Sequence, residues 1–252
     1  MNLPTTKTPP QRRDPRIIVL YGAPKVGKTT ILSQLPDCLI VDNEHGTDYI
    51  EALKVNVDNV KQLKELATEL HKHPMTYKRI ALDTITTLND WAEELAIRYY
   101  TERSKSKEVI TTVAELQSLP YGEGYRWCRE AFKDLVKLFS GVTGTLILVA
   151  HMRDKELTRV GGSASATDID LTGKVRQIVT SLADTVGYLF RHPKDNTKLL
   201  VRFAGDESVV CSSRCEHLKG QTFEFDWKKI FIEDESVQRA PTETIETFPP
   251  VV

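Results

Sequence analysis

The chain has 252 residues, 40% of them hydrophobic, and its 34 Lys and Arg against 35 Asp and Glu leave a formal net charge of −1. That balance supports a full-sized core and excludes an intrinsically disordered chain, and no apolar run approaches the roughly 18 residues that span a bilayer, so a membrane-spanning helix is excluded too. Four cysteines do not make a disulfide framework, so a reducing, cytoplasmic setting is expected, and near-neutral charge confines any nucleic-acid surface to a local patch.

Residues 1–15 hold four prolines and no apolar h-region, and they read as a flexible arm rather than a secretory signal. Continuous apolar runs follow at 16–21, 38–42, 79–83 and 145–150, as expected of strands buried on both faces. Amphipathic helical patterns lie at 60–72, 84–100, 125–139 and 174–184. Strands alternating with helices predict an α/β fold, a mainly parallel sheet with helices on both faces. Beyond Asp184 the helices stop, and 186–191, 198–204, 208–211 and 222–225 read as strands that extend the sheet in antiparallel fashion. The acidic segment 233–252, rich in Pro and Thr, reads as a flexible tail, which leaves one domain over 16–232. Two polar stretches, 102–124 and 153–172, read as irregular segments long enough to be functional.

The chemistry begins at Gly22-Ala23-Pro24-Lys25-Val26-Gly27-Lys28-Thr29, followed by Thr30. This is a complete G-x-x-x-x-G-K-[ST] pattern between a strand and a helix. The glycines let the backbone wrap so that its N–H groups point at a β-phosphate, and Lys28 reaches the β and γ oxygens while the Thr29 hydroxyl is suited to Mg²⁺. Residues 22–30 are therefore expected to bind a nucleoside triphosphate. Ile80-Ala81-Leu82-Asp83 runs apolar to a carboxylate, the pattern of a second Mg²⁺ ligand on a neighbouring strand; the alternative is a plain N-cap for the helix that follows. Glu44, just beyond the strand at 38–42, is the candidate to orient or deprotonate water at the C-terminal sheet edge. Asp42 and Asp48 read as solvated loop carboxylates.

This order of residues resembles the RecA-type recombinase ATPases. Leu39-Ile-Val-Asp-Asn-Glu44-His-Gly-Thr-Asp48 is similar to the family segment that carries the catalytic glutamate. Ile80-Ala-Leu-Asp83-Thr-Ile-Thr is similar to its magnesium-site strand. Leu146-Ile-Leu-Val-Ala-His151-Met-Arg-Asp-Lys155 is similar to the strand that ends in a γ-phosphate sensor and enters a DNA-binding loop, with His151 where the family most often has glutamine. The GAPKVGKTT form and the short chain look most like the small phage RecA-like proteins of single-strand annealing. Covering about residues 16–227, the resemblance implies a RecA-like P-loop NTPase core with ATP and Mg²⁺ as cofactors. It implies slow, DNA-stimulated hydrolysis to ADP and phosphate, in the host cytoplasm for a phage-encoded protein. Single-stranded DNA and a phage single-strand-binding protein are the partners it implies. Residues 1–15 are too short and proline-rich for the family's polymerisation helix and strand. A homo-oligomer with a basic residue donated between subunits is nonetheless implied; Arg214 is matched to that residue, with a surface arginine at a strand end as the other reading and Lys174 and Arg176 behind it.

Single-strand binding needs cations and stacking aromatics. Arg103, Lys105 and Lys107, near Tyr99, Tyr100, Tyr121, Tyr125 and Arg126, supply them in the first polar stretch, and Arg153, Lys155 and Arg159 in the second. On composition alone the same residues read as solvated loops, and Tyr99 and Tyr100 as core. A γ-phosphate sensed at His151 would order 153–172. Cys211, Cys215 and His217 make a partial zinc pattern without a second ligand pair and read as reduced thiols and a plain histidine. Trp91, Trp127 and Trp227 read as packing residues. Two rival functions remain: a protein-directed ATPase such as a helicase loader or motor partner, and an ATP-gated single-strand annealing protein with negligible turnover.

Overall fold

The computed structural model describes residues 3, 5–104, 108–159 and 162–239, with 155–159 and 162–165 described by backbone alone. The first half alternates as β1 (Ile17–Gly22), α1 (Lys28–Ser33), β2 (Cys38–Asp42), β3 (Lys54–Asn56), α2 (Val60–Lys72), β4 (Arg79–Asp83) and α3 (Ile85–Arg103). Then come α4 (Val113–Gln117), α5 (Glu123–Lys137), β5 (Thr145–Arg159), β6 (Gly162–Ile169) and α6 (Val175–Leu182). The chain closes with β7 (Thr185–His192), β8 (Asp195–Arg202), β9 (Ser212–Ser213), β10 (Thr222–Glu224), α7 (Trp227–Ile230) and α8 (Glu235–Gln238).

Among the described residues the sheet runs β10-β8-β7-β1-β5-β4-β2-β3, with β6 paired to β5 and β9 to β7. The strands β7, β1, β5, β4, β2 and β3 are parallel, and β8, β9 and β10 add antiparallel pairs. This is a mainly parallel α/β sheet extended by antiparallel strands from the C-terminal part of the chain. Alternation along β1 explains the layering, because successive side chains point to opposite faces. Val19 and Tyr21 join the core under α2, α3 and α5. Ile18 and Leu20 join the one under α1 and α7. Each large apolar side chain buried this way stabilises the fold by about 1.5–3 kcal/mol. Helix starts follow local chemistry: Asn59 accepts from the Gln62 amide at 3.0 Å to begin α2, which buries Leu63, Ala67 and Leu70 along one face. Among the described residues no helix is long and apolar enough to cross a membrane.

Four expectations are corrected. The stretch 102–124 is largely helical: α3 runs on to Arg103, and α4 opens with a capping box in which Thr112 and Glu115 bond reciprocally. The T-x-x-E signal was present in the sequence but lay inside a polar run. The stretch 153–172 is mostly a β-ribbon, since β5 continues unbroken and pairs antiparallel with β6 from Met152↔Ile169 to Arg159↔Gly162. Ladder hydrogen bonds form it without an apolar stripe, so its polarity mimics a loop. At 208–211 no strand forms; Asp206 accepts from the Ser208 and Val209 amides at 2.7 and 2.9 Å, making a turn, and only Ser212–Ser213 pair with β7. Finally, the packed chain passes the expected boundaries. Asp14 accepts from the Ile232 amide at 2.8 Å, the fully buried Arg79 is ion-paired with Asp234, and Val237 is buried. Lys105 and Lys107 lie outside the described residues, as does the chain after 239.

Candidate active site

Where β1 ends, a Cβ on Gly22 would stand 2.5 Å from the Leu189 carbonyl oxygen, so only glycine lets the chain turn there. Gly27, at φ 115, is the N-cap of α1; that backbone is costly for any residue with a Cβ. Between them Val26 is buried as an anchor, Pro24 and Lys25 are exposed and Ala23 is half-buried, as is Thr30 in α1. The Lys28 side chain folds back into the wrap: its ammonium donates to the Gly22 and Ala23 carbonyls at 3.2 and 2.9 Å and lies 3.4 Å from His151 Nδ1. Burial pulls the Lys28 pKa down, against the opposing pull of Asp83 and Glu44. A buried ammonium whose hydrogen-bond partners are two carbonyl oxygens and a ring nitrogen, none of them charged, is poised for an anion.

The acids line the same sheet edge. Thr29 Oγ1 donates to Asp83 Oδ2 at 2.7 Å. Asp83 ends β4 in register with Asp42 on β2. Burial pushes the Asp83 carboxyl up to about 6, helped by Asp42 and Glu44 and opposed by the Thr29 hydrogen bond and Lys28. Thr84, not Asp83, caps α3, so the capping alternative for Asp83 falls. Asp42 is corrected as well: it is buried rather than solvated, accepting from the Thr47 amide and hydroxyl at 2.8 and 2.6 Å and from the Glu44 amide at 2.9 Å. It ties down the loop that carries Glu44. Asp48 is exposed.

Glu44 Oε1 accepts from the Thr84 and Thr87 hydroxyls at 2.6 and 2.9 Å, and His151 Nε2 stands 3.1 and 3.0 Å from its two oxygens. Burial alone would raise its pKa; the hydrogen bonds from His151, Thr84 and Thr87 outweigh that and hold it at about 2. With Nε2 against a carboxylate and Nδ1 facing an ammonium, the imidazole proton belongs on Nε2. His151 is fixed in turn by its amide, which donates to Thr86 Oγ1 at 3.1 Å. Asn43, which sequence reading passed over, clamps Thr84: its amide donates to the Thr84 carbonyl at 2.8 Å and accepts from the Thr84 N–H at 2.6 Å. Only the folded loop reveals that role.

The sequence matches the AAA domain family over residues 14–220. The chain belongs to this family. No curated protein matches the sequence. Among solved structures, the flagellar accessory protein FlaH from Methanocaldococcus jannaschii is similar at 11% identity and a TM-score of 0.36, over 74% of this chain and 76% of that one.

Elsewhere in the AAA domain the other singled-out residues are spread out. Arg214 follows β9 at the opposite edge of the sheet from Gly22, donating to the Ser181 carbonyl at 2.7 Å and lying 3.6 Å from Asp184. It does not approach the phosphate loop. Lys174 is the N-cap of α6, and Arg176 is ion-paired with the buried Asp168. Arg103 is 3.0 Å from Glu130 and lies over the Tyr99 ring. Arg153 leaves the sheet on β5 opposite Asp168; Lys155 and Arg159 sit further along that strand, their side chains outside the described residues. Tyr99 and Tyr100 are buried, whereas Tyr121 and Tyr125 are exposed. Burial pushes the Cys211 thiol up to about 11, and His217 Nε2 is 3.0 Å from the Ile230 carbonyl. Among the described residues no cluster of His, Cys, Asp and Glu is placed to hold a metal ion of its own.

Proposed function

We propose that this AAA domain binds Mg²⁺-ATP, hydrolyses it, and couples that cycle to single-stranded DNA as a homo-oligomer in recombination, annealing or replication of the phage type. The observation that carries the ATPase reading is the convergence of Lys28, the Thr29–Asp83 pair and the Glu44–His151 pair at one sheet edge. The residues fit a magnesium ion. Thr29 and Asp83 present two oxygens 2.7 Å apart; the Asp83 carboxylate has Asp42 and Glu44 close to it, and Asp83 and Glu44 share one buried cation, Lys28. That surplus of negative charge is what a divalent ion relieves. Bound between Thr29 and Asp83, Mg²⁺ would offset charge on the phosphate oxygens.

The chain's own groups do the rest. The wrap of amides from Gly22 to Thr29 holds the β-phosphate and Lys28 bridges to the γ-phosphate. Glu44, ionised and placed by two hydroxyls and His151, orients the attacking water and accepts its proton. DNA enters the reading through the ribbon. β5 leads from His151 directly into it, and the Asp170 amide at its return donates to the His151 carbonyl at 2.9 Å. Both ends of the ribbon thus meet at the residue beside the γ-phosphate. The protein-directed alternative gains from one observation: Arg103, a candidate DNA contact, is already paired with Glu130.

The test is ATP turnover with and without single-stranded DNA at two salt concentrations. Stimulation that fades with salt supports the DNA reading, because phosphate contacts release counterions. Turnover indifferent to DNA, with no binding at low salt, contradicts it and leaves a protein-directed ATPase.

A further inference from the structure

β7 runs parallel to β1 on the side away from β5, with Leu189 level with Gly22. Phe190 and Arg191 therefore pass beyond the end of β1, alongside the phosphate loop. The ladder between β7 and β8 slips between Arg191 and His192, and irregularities of this kind re-aim side chains near functional sites. Arg191 Nη2 lies 3.1 Å from the point where a Cβ on Gly27 would stand. Its Nη1 donates to the Thr197 carbonyl at 3.1 Å, which fixes the guanidinium beside the loop. No Asp or Glu among the described residues lies within ion-pair distance of it. A half-buried arginine bonded to one carbonyl keeps most of its donors for another acceptor.

We infer that Arg191 contacts the diphosphate of the bound nucleotide from within the same subunit. The inference rests on the nucleotide reading above and adds a residue to it. Placement decides the role. Every group near the attacking water, Glu44, His151 and Asp83, belongs to the β2–β4–β5 side of β1. Arg191 occupies the β7 side, across the loop from them. It grips phosphates that ATP and ADP share, and it contributes to holding the nucleotide more than to the chemical step. Gly27 is glycine for two reasons, its backbone angle and the room its missing side chain leaves for the guanidinium.

The experiment measures affinity for fluorescent ATP and ADP, and for inorganic pyrophosphate by competition, in wild-type, Arg191→Ala, Arg191→Lys and Lys28→Ala proteins. Arg191→Ala weakens all three ligands together by about ten- to a hundredfold, the worth of charge-assisted hydrogen bonds to phosphate. Arg191→Lys recovers part of the loss, because lysine keeps the charge but not the planar fork. ADP and pyrophosphate affinities within about twofold of wild type in Arg191→Ala would overturn the inference. So would a loss that lysine does not restore, which would assign Arg191 to bracing the β7–β8 turn through Thr197. Should the wild type bind no nucleotide, or Lys28→Ala bind as tightly as wild type, the nucleotide reading itself fails. That result differs from failure of Arg191 alone, where Lys28→Ala loses binding and Arg191→Ala keeps it.

Discussion

Burial and neighbouring acids disfavour the Asp83 carboxylate, and replacing it with asparagine should stabilise the fold when measured without Mg²⁺ or nucleotide. Burial, with Asp42 and Glu44 nearby, raises its pKa from the ordinary 3.8 to about 6. Since the folded value exceeds the unfolded one, the folded state holds the extra proton between them. The stability this group contributes is full below pH 3.8 and is lost as pH rises through about 6. A shift of about two pKa units corresponds to about 3 kcal/mol above pH 7. Asparagine keeps an oxygen for the Thr29 hydroxyl but carries no charge. For a domain of this size, Asp83→Asn should melt about 6–12 °C above wild type at pH 8 in EDTA. Thermal unfolding from pH 4.5 to 8 checks the sign, because the gap must widen as pH rises. Adding Mg²⁺-ATP should raise the wild-type midpoint and leave the mutant's nearly still. A gap that ignores pH, or a mutant that melts below wild type at pH 8, refutes the reasoning.

Gly27→Ala should lose nucleotide binding and about 1–3 kcal/mol of stability, since it combines φ 115 with a Cβ 3.1 Å from Arg191; titration with fluorescent ADP and a melting curve decide it, and wild-type affinity contradicts it. Asp234→Asn should cost about 3 kcal/mol by leaving the buried Arg79 guanidinium without its counter-charge. Urea unfolding measures that loss, and a change below about 0.5 kcal/mol would mean that α8 packs independently of Arg79.

Much of this architecture was legible in the sequence because its central strands are buried on both faces. The apolar runs at 38–42 and 79–83 coincide with β2 and β4, and the periodic stretch at 60–72 coincides with α2. In each case burial alone dictates the pattern. Residues placed by distant partners were not legible. The β5–β6 ribbon is held by its ladder rather than by a core face, so its polarity reads as a loop. Asp42 looks like any loop acid until Thr47 folds back onto it. Arg191 sits far from Gly27 in sequence, and only the parallel pairing of β7 with β1 brings them together. Lys28, Glu44, Asp83 and His151 come from the start of α1, the loop after β2, the end of β4 and the middle of β5, and only the parallel pairing of β1, β5, β4 and β2 brings them to one sheet edge.

The most direct test of the account compares ATP binding and steady-state hydrolysis in wild type, Lys28→Ala and Glu44→Gln, in Mg²⁺. Wild type should bind and turn over ATP, and Lys28→Ala should do neither while keeping its far-ultraviolet circular dichroism. Glu44→Gln should bind ATP but hydrolyse it about a hundredfold more slowly or worse, the loss expected of a missing general base. Wild-type turnover in Glu44→Gln, or unchanged ATP affinity in Lys28→Ala, would contradict the assignment of this sheet edge as an ATPase site.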